Sequence, residues 1–268
     1  MDQPCCTVVR YGSEERSIRT MVPSWTSEST LLSAIMIDTP LLHLAIIPDG
    51  NRRWAKEHKL EAVWKGHEKA VENFRTLTDW CRKDPRVNVL TVWCFSTENW
   101  KRDKKEISML MTMLEEYLRK EGRELKENHT RFVHSGRRDR IPTSLRTLIE
   151  QTEEATKDET GFTLHLAVDY GGKDEVVRAI EKLHTQTVRA SLPAVTEESI
   201  RQHLDHPELP AIDIILRSSG EQRTSNFFLW QSAYAEWIFS PKYFPDIGVD
   251  DLDAALKEYE RRKRRFGG

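Results

Sequence analysis

From Leu41 onward the chain alternates short apolar runs with longer amphipathic segments. The runs "LLHLAII" from Leu41, "VLTVWCF" from Val89, "RFVHS" from Arg131, "TLHLAV" from Thr163, "IDIILR" from Ile212 and "EWIF" from Glu236 predict strands. Several are almost continuously apolar, as strands covered on both faces are. Between them, residues 66–82, 104–128, 142–157, 173–188 and 250–264 carry a helical period. In the second of these, Ile107, Leu110, Met111, Leu114 and Leu118 form one stripe. The alternation predicts an α/β fold, an open, mainly parallel sheet flanked by helices, with ligands bound at the carboxyl ends of the strands.

Residues 1–40 differ in texture: rich in Ser and Thr, with three arginines and no sustained period. They predict a variable, flexible extension ahead of one catalytic domain over 41–268. A targeting segment is the competing reading, but Asp2, Glu14, Glu15, Glu28 and Asp38 argue against a transit peptide, which is poor in acids. The net charge of -2, from 41 basic and 43 acidic residues, gives no global reason to expect nucleic acid as a partner. Cys5, Cys6, Cys81 and Cys94 have neither Cys-x-x-Cys nor zinc spacing, so a reducing, cytoplasmic setting is expected. No apolar run approaches the roughly 20 residues of a membrane span, although peripheral contact with a membrane surface stays open.

Four stretches follow predicted strands, where this architecture puts its site. Asp49-Gly50-Asn51-Arg52-Arg53-Trp54 leaves a strand, turns, and enters a helix. Such a turn can supply a metal ligand and a cradle of backbone N–H groups for an anion, or it can be a plain turn with an aspartate cap. "FSTENWKR" runs from Phe95 to Arg102, and its Ser96 could equally be an ordinary helix cap. "DYGGKDE" from Asp169 reads mostly as a strand-to-helix turn. The fourth stretch brings Arg217, Arg223 and Ser225 beside Gly220, two guanidinium forks and a hydroxyl that suit a diphosphate. Aromatic residues (Trp93, Phe95, Trp100, Phe227, Phe228, Trp230) and Met109, Met111 and Met113 flank these loops. Singly they read as core, and together they permit an apolar tunnel with an anionic mouth. The nucleotide-binding, metalloprotease and serine-hydrolase motifs are absent, as is the aspartate-rich run of trans-type prenyl-diphosphate enzymes.

The chain resembles the cis-prenyltransferases, the undecaprenyl and dehydrodolichyl diphosphate synthase family, over nearly all of His43 to Gly268. The resemblance rests on "HLAIIPDGNRRWAK", Gly66-His67, "TVWCFSTENWKR", "LHLAVDYGGKDE", "DIILRSSGEQRTSNFFLWQSAYAEW" and the terminal "RRFGG", in that order. It implies a homodimer in which each subunit has a tunnel opening near the strand carboxyl ends, lined by Trp93, Cys94, Phe95 and Trp100. Asp49 looks like the essential aspartate that places Mg2+ on a substrate diphosphate, with Glu236 as a second acidic residue at the metal site. Gly50, Asn51, Arg52, Arg53, Trp54 and Arg102 match the surroundings of the allylic diphosphate. His67, Ser96 and Asn99 match positions of orientation and catalysis, the last two assisting proton removal. Arg217, Arg223 and Ser225 match an isopentenyl diphosphate clamp, which Arg265 and Gly267 of the tail would complete in a partner's site.

The implied reaction condenses isopentenyl diphosphate with an allylic diphosphate in cis. A variant making a C10 to C20 or irregular product is the alternative, and a non-catalytic partner subunit a lesser one. Arg52, Val63 and Ala70 depart from the bacterial pattern, and Cys94 stands where long-chain synthases commonly have alanine. The larger side chain there could shorten the product.

Overall fold

Each apolar run forms a strand in the computed structural model, which describes residues 41–186 and 195–262. The strands are β1 Leu42–Ile47, β2 Val87–Ser96, β3 Arg131–Ser135, β4 Thr163–Tyr170, β5 Ile214–Arg217 and β6 Glu236–Phe239. They lie in one sheet of order β3-β4-β2-β1-β5-β6, and every pairing is parallel. The helices are α1 Asn51–Glu57, α2 Lys65–Lys83, α3 Lys104–Glu127, α4 Thr143–Thr156, α5 Gly172–Gln186, α6 Glu197–Arg201 and α7 Val249–Arg261. The chain passes from β1 to β2 on one side, while β5 and β6 extend the sheet on the other. The carboxyl ends of β1 and β5 therefore flank a topological switch point, where a crevice opens in such sheets.

β5 is shorter than its apolar run. The Ile212 amide donates to Gln231 O at 2.9 Å instead of joining the ladder. β2 runs one residue past the expected end, to Ser96, and its register with β4 slips between Trp93 and Phe95, leaving Cys94 as an extra residue. α3 starts where Asp103 accepts from the Lys105 and Glu106 amides at 2.9 and 3.4 Å. Its Leu110, Met111 and Leu118 are buried, and Ile107 and Leu114 pack beside them. Among the described residues no helix is long and apolar enough to cross a membrane.

One face of the sheet carries the larger core, under α2, α3, α4 and α7; on the other, Ala45, Ala167, Ile215, Phe227 and Phe228 form a smaller one. A chain of hydrogen bonds crosses the strands in the interior. His43 Nδ1 lies 2.9 Å from Pro210 O, an acceptor only, so Nδ1 carries the proton and Nε2 accepts from Thr91 Oγ1 at 2.6 Å. Thr91 Oγ1 in turn accepts from His165 Nδ1 at 2.9 Å, and Ser135 donates to His165 Nε2 at 2.8 Å.

Every link requires neutral imidazoles. Burial pushes His43 down to about 4, His134 to about 3 and His165 well below its ordinary value. A base depressed in the fold contributes stability above its unfolded value of 6.5, which is lost as pH falls toward the folded value. Each such histidine is worth up to about 1.4 kcal/mol per pH unit in that window. His206 opposes them: burial lowers it, but Glu208 raises it on balance. Tm is expected to fall steeply as pH drops from about 6.5 toward about 4; melting scans across that range check it, and a Tm flat down to pH 4 would mean that the imidazoles take up protons in the fold as readily as in the unfolded chain.

Candidate active site

Pro48 follows β1 and delivers Asp49 to the crevice. Gly50 then takes φ 87°, and a Cβ there would meet Tyr243 Cδ1 at 2.4 Å and Ser219 Cβ at 2.8 Å, so only glycine fits. Gly50 caps α1 without a side-chain hydrogen bond, leaving first-turn amides free of a side-chain cap. Asp49 Oδ1 accepts from the Gly50 amide at 2.7 Å and Oδ2 from Arg217 Nη2 at 2.9 Å. Burial pushes the Asp49 carboxyl up, but the Arg217 and Gly50 hydrogen bonds and the Arg217 and Arg53 charges outweigh it and hold it below the usual range.

Arg217 closes β5 and is 3% exposed. Its Nη1 donates to Ser225 Oγ at 2.8 Å and to the Arg223 carbonyl, and its Nε has no partner. Arg223 is exposed and pairs with Glu221. Ser219, Ser225, Asn226 and Phe228 all have positive φ, a concentration of backbone strain typical of functional loops.

On the opposite wall, β2 ends at Ser96, whose amide donates to Asn99 Oδ1 at 3.1 Å. His67, one residue into α2 from Gly66, has Nδ1 3.4 Å from Asn51 Nδ2 and Nε2 3.6 Å from Glu106 Oε1. Gly66 is required there, because a Cβ would meet Asn51 O at 2.0 Å. Glu106 also receives Arg102 Nη1 at 3.1 Å and faces Arg52 Nη1 at 3.7 Å. The neighbouring His67, then Arg102 and Arg52, hold its buried carboxyl below the usual range. Glu106 was not expected at the site; its place in the first turn of α3, four residues after Arg102 and just past the Asp103 cap, was the available signal.

These groups surround a cavity of about 620 Å³. Asp49, Asn51, His67, Asn99 and Arg102 stand at its mouth with Ser96, Arg217, Arg223 and Ser225, while Ala70, Phe74, Leu110, Met113 and Tyr117 line its depth. Two buried polar atoms at that mouth, Asn51 Oδ1 and Arg217 Nε, lack a hydrogen-bond partner in the protein, as groups awaiting a ligand do.

Not every expected residue arrives there. Trp93 and Cys94 line the wall, and burial holds Cys94 as a thiol, pushed up to about 12. Phe95 and Trp100 do not. Phe95 is in the core with Trp100 edge-on at 5.1 Å, and the Trp100 indole donates to Asp169 Oδ1 at 2.8 Å. Gly50, Arg52, Arg53 and Trp54 lie beside the mouth rather than in its lining; Arg53 reaches Ser219 Oγ at 2.8 Å, and Trp54 donates to Asp246 at 2.8 Å. Glu236, expected as a second acidic residue at the metal site, opens β6 level with Ile214, toward the amino ends of the strands, and pairs with Arg262 at 2.7 Å. Arg265 and Gly267 lie outside the described residues. Among the described residues no cluster of three or more His, Cys, Asp or Glu side chains forms a metal cage.

A strand-end aspartate and a buried arginine thus border a cavity with apolar walls at the carboxyl edge of a parallel α/β sheet. Sequence comparison specifies the class. Residues 47–267 match the prenyltransferase family model described as "Putative undecaprenyl diphosphate synthase", and the chain belongs to this family of transferases. It is 42% identical to an isoprenyl transferase of Wolinella succinogenes over 85% of this chain and 97% of that one, and 40% identical to one of Rhodopirellula baltica over 87% and 98%. The structure is similar to lavandulyl diphosphate synthase from Lavandula x intermedia in complex with dimethylallyl diphosphate, with TM-score 0.80 and 36% identity over 84% of this chain and 98% of that one. A probable undecaprenyl diphosphate synthase from Campylobacter jejuni gives TM-score 0.71 and 31% identity, over 85% and 99%. The family resemblance and the parallel fold expected from the motifs are both borne out.

Proposed function

We propose that the protein condenses isopentenyl diphosphate with an allylic diphosphate in cis, releasing diphosphate. The observation that carries this reading is the Asp49–Arg217 pair, set at the polar mouth of a deep apolar cavity in a chain of this family. The allylic C–O bond breaks and its electron pair leaves with the diphosphate. The double-bond pair of isopentenyl diphosphate then forms the new C–C bond, and loss of one proton restores an alkene.

Arg217, Arg223 and Ser225 bind one diphosphate, and Asn51, Arg53, Arg102 and the α1 amides bind the other. Ser96 and Asn99 face the substrates and assist removal of the proton, which passes to the released diphosphate, with His67 orienting them. The apolar wall excludes water that would capture a carbocation. Asp49 suits Mg2+, which is commonly held by one or two carboxylates plus substrate phosphates and does not need a protein cage. When bound, Mg2+ would neutralise charge on the departing diphosphate. A homodimer, peripheral membrane contact, a role for Arg265 and Gly267 in a partner's site, and an extension over 1–40 attached to a catalytic domain over 41–268 complete the proposal. The partner-subunit alternative is disfavoured because Asp49, Arg217, Arg223 and Ser225 are all retained.

Diphosphate release is expected only when isopentenyl diphosphate, an allylic diphosphate and Mg2+ are all present, and EDTA should abolish it. Release from the allylic diphosphate alone at the same rate would identify a hydrolase or lyase and overturn the reading.

A further inference from the structure

We propose that the ring pair Phe74–Tyr117 closes the floor of the cavity and ends chain growth at a C10 to C20 product, an inference that rests on the prenyl-transfer reading above. His67, Val71 and Phe74 follow one another along one face of α2, descending from the mouth, and Phe74 lies about 10 Å of helix below His67. On α3, Leu110, Met113 and Tyr117 descend in parallel. The two series converge on the rings of Phe74 and Tyr117, whose centroids are 5.0 Å apart at 48°. Both side chains are almost fully buried.

What lies behind the rings is unlike the cavity in front of them. A second hollow of about 30 Å³ shares Tyr117 as a wall, and its other walls include Thr78, Asp79, Glu121 and Glu124. Arg75 and Glu121 pair beside it at 2.6 Å, and Arg75 Nε and Thr78 Oγ1 are buried without partners. Tyr117 thus separates an apolar space from a polar one. A hydrocarbon chain pushing past it would desolvate charged groups and gain little apolar contact beyond Leu125.

The volume agrees. A cavity of about 150 Å³ takes up benzene, or about 25 Å³ for each non-hydrogen atom. At that density, 620 Å³ holds about 25 such atoms, the size of one C15 diphosphate, and a chain of ten isoprene units needs about twice the space.

The test is product sizing by mass spectrometry. The full chain, Tyr117→Ala and Phe74→Val are each incubated with Mg2+, isopentenyl diphosphate and the C5, C10 or C15 allylic diphosphate. The unaltered protein is expected to stop between C10 and C20, and Tyr117→Ala to lengthen the main product by at least one C5 unit. If Tyr117→Ala does not fold, Tyr117→Leu, which removes the ring and keeps apolar filling, carries the same expectation. A C50 or longer product from the unaltered protein overturns the inference, as do folded variants that turn over with unchanged product length. Absence of product from every primer overturns the prenyl-transfer reading and this inference with it, whereas a long product overturns this inference alone.

Discussion

Asp49→Asn is expected to lower turnover about a thousandfold or more, the scale on which loss of one preorganised charge-stabilising group acts in a closed site, while the protein melts within a few degrees of the unaltered chain. Asparagine keeps the shape, and its single carbonyl oxygen can still accept from Arg217 Nη2, while its NH2 takes the place of the oxygen that accepts from the Gly50 amide. What it loses is the charge and one of the two acceptors. Asp49→Ala is a poorer experiment, because it strips the carboxylate from a guanidinium that is 3% exposed. Orphaning a buried charge costs about 3–5 kcal/mol, so lost activity would be confounded with lost stability. Steady-state rates and melting curves on both variants separate the two effects. Asp49→Asn turnover within tenfold of the original would remove the charge-based role. Because the Asp49 carboxyl is held below its ordinary value of 3.8, its contribution to stability is present above that value and is lost only as pH falls through the lower folded one. The acid limb of the rate profile near neutrality therefore belongs to other groups.

A large loss of stability, remote from the Asp49–Arg217 pair, is expected from Arg140→Met. Asp169 is fully buried at φ 52°, with Oδ2 accepting from Arg140 Nε at 2.8 Å and Oδ1 from Arg140 Nη2 and the Trp100 indole. Without Arg140 the carboxylate keeps one neutral donor. The Arg140 side chain is 40% exposed, which argues for the lower part of the 3–5 kcal/mol range for a broken buried pair, about 3 kcal/mol. In a chain of this size that lowers Tm by about 10 °C. Trp100 directly follows Asn99, so the loosened anchor should also reduce turnover. Arg140→Met combined with Asp169→Asn should recover part of the melting temperature, since the uncompensated charge is then gone. A loss below about 1 kcal/mol from the single change would mean that water already reaches Asp169.

The parallel sheet was legible because its strands announce themselves locally, as β-branched runs bounded by turns, and the helices fell within a few residues of their expected limits. The two walls of the mouth were legible as well: Asp49 and Arg217 each stand at a strand end, and the fold rule carries both to the same edge. Side-chain direction was less accessible. Trp100 and Phe95 occupy the right stretch, but the bulge at Cys94 and the draw of Asp169 turn them into the core. Glu236 sits in a matching motif yet lies at the opening end of its strand, something only register reveals. Glu106 and the partition formed by Phe74 and Tyr117 depend on how α2 lies against α3, a tertiary relation that no local pattern encodes. The short helix α6 has too few residues for a period to register.

α2 begins pressed against the first residue of α1, where Gly66 leaves no room for a Cβ, and carries His67 in its first turn and Phe74 two turns later. Head-group recognition and depth of the well thus occupy different storeys of one rigid rod, joined to the reaction machinery only at the top. Substitutions in the lower storey can change which hydrocarbon is accommodated without touching the groups that break and make bonds. A scaffold of this plan lends itself to diversification: new products by residue changes deep in the well, with the chemistry inherited intact.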